Sequence, residues 1–442
     1  MSSLPPGPRA SAVVQTARWL LAPAEFMESC RRRFGDAFTV RFLGFERPMV
    51  IVSHPDTIRA LYTENAHRLP PGRTLALRPI MGAQSLLLLE GEAHLERRRL
   101  MLPPFHGERM RAYEPAITRI ARAEIDRWQP GAPLVLHPRM RAITFEVILR
   151  LVFGVTDDTR LERLRELLPR FLDRTASPAL SFRVLLARRL GRPDPLERLA
   201  AAGGEIDDVL YAHIAARRAA RGDGDDVLSM LLAARFGDGS AMSDSELRDQ
   251  LVTLLLAGHE TTATALAWTF DLLAHDPAVL ERLTTEVRGG DDTYLRAVIA
   301  ESLRLRPVLP LAGRRLAREL RAGPYALPPG TDVSPSIWLL HTREDLYPQP
   351  RAFRPERFLE GAAPAYGWIP FGGGVRRCIG AAFAELEMRV VISEVLTALE
   401  LAPATPRPET IARRNLTFAP RHGTRVIVTR REAPLALAST AR

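Results

Sequence analysis

Phe371-Gly-Gly-Gly-Val-Arg-Arg-Cys378-Ile-Gly380 is the stretch around which the chain is best read. A cysteine stands in a glycine-rich loop, directly before an apolar run that reads as a helix over residues 379–399. A helix N-terminus and nearby backbone N–H groups favour thiolate over thiol. Glycines let a backbone approach a flat ligand closely. The bland alternative is a buried free thiol in a turn, and for an isolated cysteine it wins. Cys30 is the only other cysteine, which excludes a disulfide framework and predicts a cytoplasmic setting.

Upstream, Ser243-Asp-Ser-Glu246 is a capping box, a hydroxyl N-cap with glutamate three residues on. Helical composition continues to about Ala274, before Asp276-Pro277. A helix of roughly 32 residues spans about 48 Å and crosses a whole domain. Its middle reads Ala257-Gly-His-Glu-Thr-Thr262. His259-Glu260 could open a zinc-binding H-E-x-x-H, but position 263 is alanine. Gly258 is expected to leave room beside a ligand. Glu260 and Thr261 place an acid beside a hydroxyl, which can pass protons. The alternative is a polar break in a buried helix, with threonine bonding back to the backbone.

Elsewhere, residues 37–53 read as a β-hairpin around Gly44-Phe45-Glu46. Helices are predicted over 92–102, 108–128, 139–153, 159–170, 277–287 and 293–305, with a long arginine-rich helix after Pro195. Pro103-Pro104 stops the first of these. Residues 307–371 are Pro- and Gly-rich. The fold class is mainly α with a minor β part. No linker divides the chain, so a single domain is expected over 1–442, with 1–25 and 432–442 as flexible tails.

Composition excludes several functions. The 442 residues carry a net charge of +10, and all 61 basic residues are arginine. Without lysine, neither a Walker A phosphate loop nor Schiff-base chemistry is possible. The arginines are scattered with few aromatics among them, which argues against nucleic acid and for a basic face toward an acidic protein. No apolar run reaches transmembrane length, and the Pro-rich first residues are unlike a secretory signal.

Phe371, Gly374, Arg376, Cys378 and Gly380 together fit F-x-x-G-x-R-x-C-x-G, and at this point the chain resembles the cytochrome P450 family. The resemblance covers about residues 30–430. It implies the family fold, a long central helix over a haem b, and Cys378 as thiolate ligand to the iron, which favours O–O cleavage. It implies that Glu260 and Thr261 are the family's acid–alcohol pair. Glu301-Ser-Leu-Arg304 with Arg357 matches a structural triad around the haem pocket. His94 and Arg98, four residues apart on a helix, match propionate contacts, as do Arg314 and Arg376. Arg97 and Arg99 are expected to form a solvated face.

By the same resemblance, residues 74–89, 171–185 and 308–313 line the substrate pocket, and all are mainly apolar. A hydrophobic substrate is implied, such as a fatty acid, terpenoid or macrocycle. Arg73 or Arg78 could hold a carboxylate, though a solvated loop charge is the commoner role. Microsomal relatives carry a membrane helix before the Pro-rich stretch, and this chain opens on that stretch, so soluble, bacterial-type behaviour is expected. No reductase domain and no Gly-x-Gly-x-x-Gly is present. The expected reaction is therefore monooxygenation with dioxygen, using electrons from a ferredoxin or flavodoxin and an NAD(P)H-dependent reductase. Arg376 and Arg377 are expected on the docking surface. The rivals are a peroxide-driven peroxygenase, a non-enzymatic haem protein, and a helical binding protein without haem.

Overall fold

The structure is a computed structural model that describes residues 4–45, 47–64, 77–155, 158–175, 178–201, 203–220, 224–361, 365–414 and 416–430. Helix dominates. The long helix runs Asp244–Ala274, 31 residues, and its start shows both halves of the capping box. Ser243 Oγ accepts from the Glu246 N–H at 3.2 Å, and a Glu246 carboxylate oxygen accepts from the Ser243 N–H at 2.8 Å. From Leu247 on it is buried on nearly every side. Such all-round burial makes it the axis of the molecule.

The helices around it lie close to the predicted ranges: Gly91–Met101, Arg109–Ile125, Leu136–Val147, Asp158–Thr175, Pro277–Arg288, Thr293–Leu305 and Ala381–Ala398. Leu136–Val147 continues as a π-turn over Ile148–Val152. The arginine-rich helix expected after Pro195 is two helices, Pro195–Ala201 and Gly204–Ala220. The glycine pair at 203–204 separates them, since glycine costs a helix interior about 1 kcal/mol relative to alanine.

The β part is small. Ala37–Val40 pairs antiparallel with Met49–Val52, the predicted hairpin. Met49–Val52 also runs parallel to Asp332–Pro335, which carries the short edge strand Arg314–Arg315. The hairpin strands are buried on both faces. What covers them is the N-terminus: Thr39 Oγ1 donates to Pro5 O at 2.6 Å, and Leu4 packs against the sheet core. The expectation of a loose tail over 1–25 is thus corrected from residue 4 onward. Residues 432–442 lie outside the described residues.

Candidate active site

Cys378 lies between a short 3-10 turn, Gly374–Arg376, and the N-terminus of helix Ala381–Ala398. The Cys378 N–H donates to Phe371 O at 2.9 Å and closes the loop. The phenyl ring of Phe371 stands edge-on to Trp368, 6.2 Å between centroids. Gly380 is the helix N-cap, and its carbonyl accepts from Ala384. Two of the loop glycines fit against Tyr62. A Cβ on Gly373 would lie 2.7 Å from the Tyr62 ring, and Gly374 is at φ +62 against the Tyr62 backbone.

Cys378 is accessible on one side while protein surrounds it on the others. Burial pushes its thiol up; the Gly380 N–H and the charges of Arg377 and Arg98 pull it back only in part. The N–H and the arginine charges act toward the thiolate, as the sequence predicts, and burial acts against them. Desolvation of the anion opposes the helix terminus.

Above the loop, four bases converge. His94 and Arg98 share helix Gly91–Met101, Arg314 comes from the edge strand, and Arg376 from the cysteine loop. Burial and the charges of Arg376, Arg98 and Arg314 hold His94 down at about 3. Burial and Arg314 lower Arg376 to about 10, and Arg376 Nη2 donates to Leu89 O. Arg314 Nε and Tyr62 Oη are buried without a hydrogen-bond partner. Like charges gathered with orphaned donors call for an anion with several acceptor oxygens. The site therefore fits a haem: a soft thiol for the iron, and bases and donors suited to its carboxylates.

On the central helix, Thr261 Oγ1 donates to Ala257 O at 2.6 Å. Its outward lone pairs can only accept. Ala257, one turn before, is exposed on the same face. Gly258 is turned away, its absent Cβ standing 3.0 Å from Ile148 Cδ1 of the π-turn. The room expected beside a ligand is thus room for a neighbouring helix. Glu260 faces three bases: Arg141 Nε at 3.1 Å, His137 Nε2 at 3.4 Å and Arg414 Nε at 3.9 Å. Burial alone would raise Glu260, but the His137 hydrogen bond and the arginine charges bring it down to about 2. Arg414 Nη1 lies 3.0 Å from His137 Nδ1. Arginine only donates, so Nδ1 accepts and the His137 proton sits on Nε2, toward Glu260.

The triad is assembled. Glu301 and Arg304 are joined at 2.6 and 2.7 Å, and Arg357 Nε reaches Glu301 at 3.0 Å. His341 couples this knot to the cysteine loop. Its Nδ1 lies 3.2 Å from Arg304 O, and its Nε2 accepts from the Ile369 N–H at 3.0 Å. A carbonyl on one side and an N–H on the other fix the neutral Nδ1–H tautomer. Burial holds His341 down at about 3, against an ordinary 6.5. The unfolded chain therefore takes up this proton first. His341 stabilisation is full above pH 6.5 and is lost as pH falls toward 3, by at most about 1.4 kcal/mol per pH unit. Urea denaturation of His341→Leu should show lower stability at pH 7.5, and a smaller loss between pH 6.5 and 5 than in the parent. Parallel pH curves would refute the lowered His341 proton affinity.

Several residues escaped the sequence reading. Arg97 is buried, paired with Glu246 and laid over Phe236, so only Arg99 of the two expected solvated arginines is exposed. Asp249, Gln250 and Thr253 clamp loop 82–89 to the central helix. Asp249 accepts from Gln84 N at 2.9 Å, Gln250 from Leu86 N at 3.0 Å, and Thr253 Oγ1 meets Ser85 Oγ at 2.7 Å. Polar residues within an otherwise apolar helix were the available signal. Of the pocket segments, Ile80, Phe171, Leu180 and Val184 meet beside Leu256, one residue before Ala257. Leu311 packs elsewhere, in the Trp338–Phe418 cluster. Arg78 is exposed, and Arg73 lies outside the described residues.

The comparisons agree with this geometry. The family model for cytochrome P450 matches residues 5–425. The chain is 40% identical over 439 residues to cytochrome P450 135B1 of Mycobacterium bovis, covering 96% of this chain and 91% of that one. It is 36% identical over 436 residues to cytochrome P450 135A1 of Mycobacterium tuberculosis, covering 96% and 94%. Among solved structures, retinoic acid-bound cyanobacterial CYP120A1 superposes with a TM-score of 0.84 at 26% identity, covering 98% of this chain and 100% of that one. No helix among the described residues is long and apolar enough to cross a membrane. The chain belongs to the cytochrome P450 family and is a haem monooxygenase.

Proposed function

We propose that the protein inserts one atom of dioxygen into a hydrophobic small molecule, with two electrons and two protons reducing the other atom to water. The observation that carries this is the accessible thiol of Cys378 beneath four converging bases. When bound, a haem b supplies the dioxygen chemistry. Cys378 is its ligand, and His94, Arg98, Arg314 and Arg376 hold its carboxylates. Phe371 and Gly380 frame the ligand loop.

Ile80, Phe171, Leu180 and Val184 supply an apolar wall beside Leu256, which supports a fatty acid, terpenoid or macrocycle as substrate. CYP120A1 binds retinoic acid, an apolar carboxylate of the same class. Selection against such walls is by shape, worth only a few kcal/mol. Screening fatty acids and terpenoids for a shift of the haem absorption tests the class, and no shift with any of them would refute it.

Glu260 and Thr261 handle protons. Thr261 accepts a hydrogen bond at the cavity face, and Glu260 stays ionised under its three bases until one of them lets go. Glu260→Gln should lower kcat about 100-fold or more, with NAD(P)H consumption diverted from product to peroxide. An unchanged ratio of product to NAD(P)H would make Glu260 a structural ion-pair partner only.

Electrons come from a ferredoxin or flavodoxin served by an NAD(P)H-dependent reductase, in a cytoplasmic setting. Arg377 is exposed, whereas Arg376 turns inward, so the docking charge expected of both falls to Arg377. Reduction by an acidic ferredoxin should slow as salt rises. Salt-independent reduction would remove this docking mode.

A further inference from the structure

Arg97, Arg304 and Arg343 are buried, and each is matched by acid: Glu246 for the first, Glu301 for the second, Asp36 and Asp345 for the third. Arg413 has no acidic partner among the described residues. It lies on the hairpin of strands Ile411–Arg414 and Thr417–Pro420, directly opposite Phe418. Its Nε is shut off from solvent and has no hydrogen-bond partner. Burial alone lowers it to about 10, with no charged group contributing. Its guanidinium lies over the Trp19 ring, 5.5 Å from the centroid. A guanidinium withdrawn from water without a counter-charge is costly, and an indole face recovers only part of that cost. Arg413 is turned away from Glu260, because successive strand residues face opposite ways and Arg414 is the one that reaches it.

We infer that Arg413 holds the carboxylate of the substrate, so that the preferred substrates are apolar acids. This rests on the reading that a hydrophobic molecule is oxidised, and adds the chemistry of its polar end. The hairpin is tied to the expected pocket segment 308–313, since the Phe418 N–H donates to Val308 O at 2.7 Å. Leu311 of that segment packs on the same apolar cluster as Trp19, Ile411 and Phe418. Leu309 of the segment and Leu416 at the hairpin tip are exposed. A guanidinium fork takes two carboxylate oxygens, and the apolar faces of Trp19 and Phe418 suit the carbons that follow. A small inorganic anion would leave those faces uncovered, and a neutral ligand would leave the guanidinium unpaired. Arg78, the described one of the two arginines expected to offer a carboxylate contact, is exposed, and an ion pair in solvent is worth little.

The test titrates the haem-loaded protein with dodecanoic acid and abietic acid, each beside its methyl ester, and follows the shift of the haem absorption. In the parent, an acid should bind about tenfold or more tighter than its ester, a comparison that needs no variant. Arg413→Gln should weaken acid binding by about the same factor and leave ester binding in place. Arg413→Lys keeps the charge without the fork, and should fall between the two. An intact carbon monoxide spectrum in each variant shows that the fold survives. Esters that bind the parent as tightly as acids overturn the inference and leave the hydrophobic-substrate reading standing. An acid preference that survives Arg413→Gln places the anchor elsewhere and overturns it too. Equal weakening of acids and esters would make Arg413 a cover for Trp19 only, with the same consequence. A shift from neither acids nor esters would remove the hydrophobic-substrate reading and this inference with it.

Discussion

Replacement of Cys378 by serine is expected to yield a folded protein without the red-shifted Soret band of the reduced carbon monoxide complex, and to reduce monooxygenation by about a thousandfold or more. The fold should survive because the side chain does not hold the loop together. The closing hydrogen bond is backbone, from Cys378 N–H to Phe371 O. Gly373 and Gly374 fit against Tyr62 whatever occupies position 378. What is lost is the soft anionic donor, since a serine hydroxyl neither ionises readily nor pushes electrons as sulfur does. Burial raises the thiol, and a bound metal would favour its anion. Cys378 should therefore alkylate slowly at neutral pH in haem-free protein, and not at all once haem is bound. Cys30→Ser is the control. It is buried among Phe26, Met27 and Trp338, away from the loop, and should keep the band. Persistence of the band in Cys378→Ser would exclude the assigned ligand.

Much of this arrangement was legible because several residues carry local meaning. The capping box placed the central helix start at the right residue, since its two hydrogen bonds need only residues 243 and 246. The hairpin and Thr293–Leu305 were equally local. What was not legible depends on partners distant in sequence. Gly258 looked like space for a ligand because nothing nearby hints at Ile148 on a π-turn. Arg97 looked solvated because its partners, Glu246 and Phe236, lie more than a hundred residues on. Helix Pro178–Arg189 was missed altogether. Its apolar residues point both ways, so no single amphipathic face announces it. For Cys378 the sequence shows the helix terminus but not the depth of burial that opposes it.

The second large effect concerns Arg304, which does no chemistry. All its donors are engaged. Nε and Nη2 hold Glu301 at 2.6 and 2.7 Å, Nη1 donates to His341 O and Pro350 O at 2.8 and 2.9 Å, and Nη2 also reaches Ala352 O at 3.3 Å. Both Arg304 and Glu301 have zero exposure. Arg304→Leu breaks a buried ion pair and leaves the Glu301 carboxylate with Arg357 and the Arg354 N–H only, at up to about 3–5 kcal/mol, and strands three carbonyls at about 1 kcal/mol or more each. That sum matches the whole stability of an ordinary domain, about 5–15 kcal/mol. Expression should give little or no soluble haem protein. Arg304→Lys keeps the charge but cannot span carboxylate and carbonyls together, and should melt well below the parent with reduced haem content. The same helix offers a comparison. Arg296 pairs with Asp292 at 2.7 Å, but at 60% and 39% exposure. Arg296→Leu should shift stability by no more than about 0.5 kcal/mol. Similar ion-pair distances at opposite burial thus predict effects that differ about tenfold, read from soluble yield, haem content and thermal melting. If Arg304→Leu melted within a few degrees of the parent, the triad would have no structural role around the loop that carries Cys378.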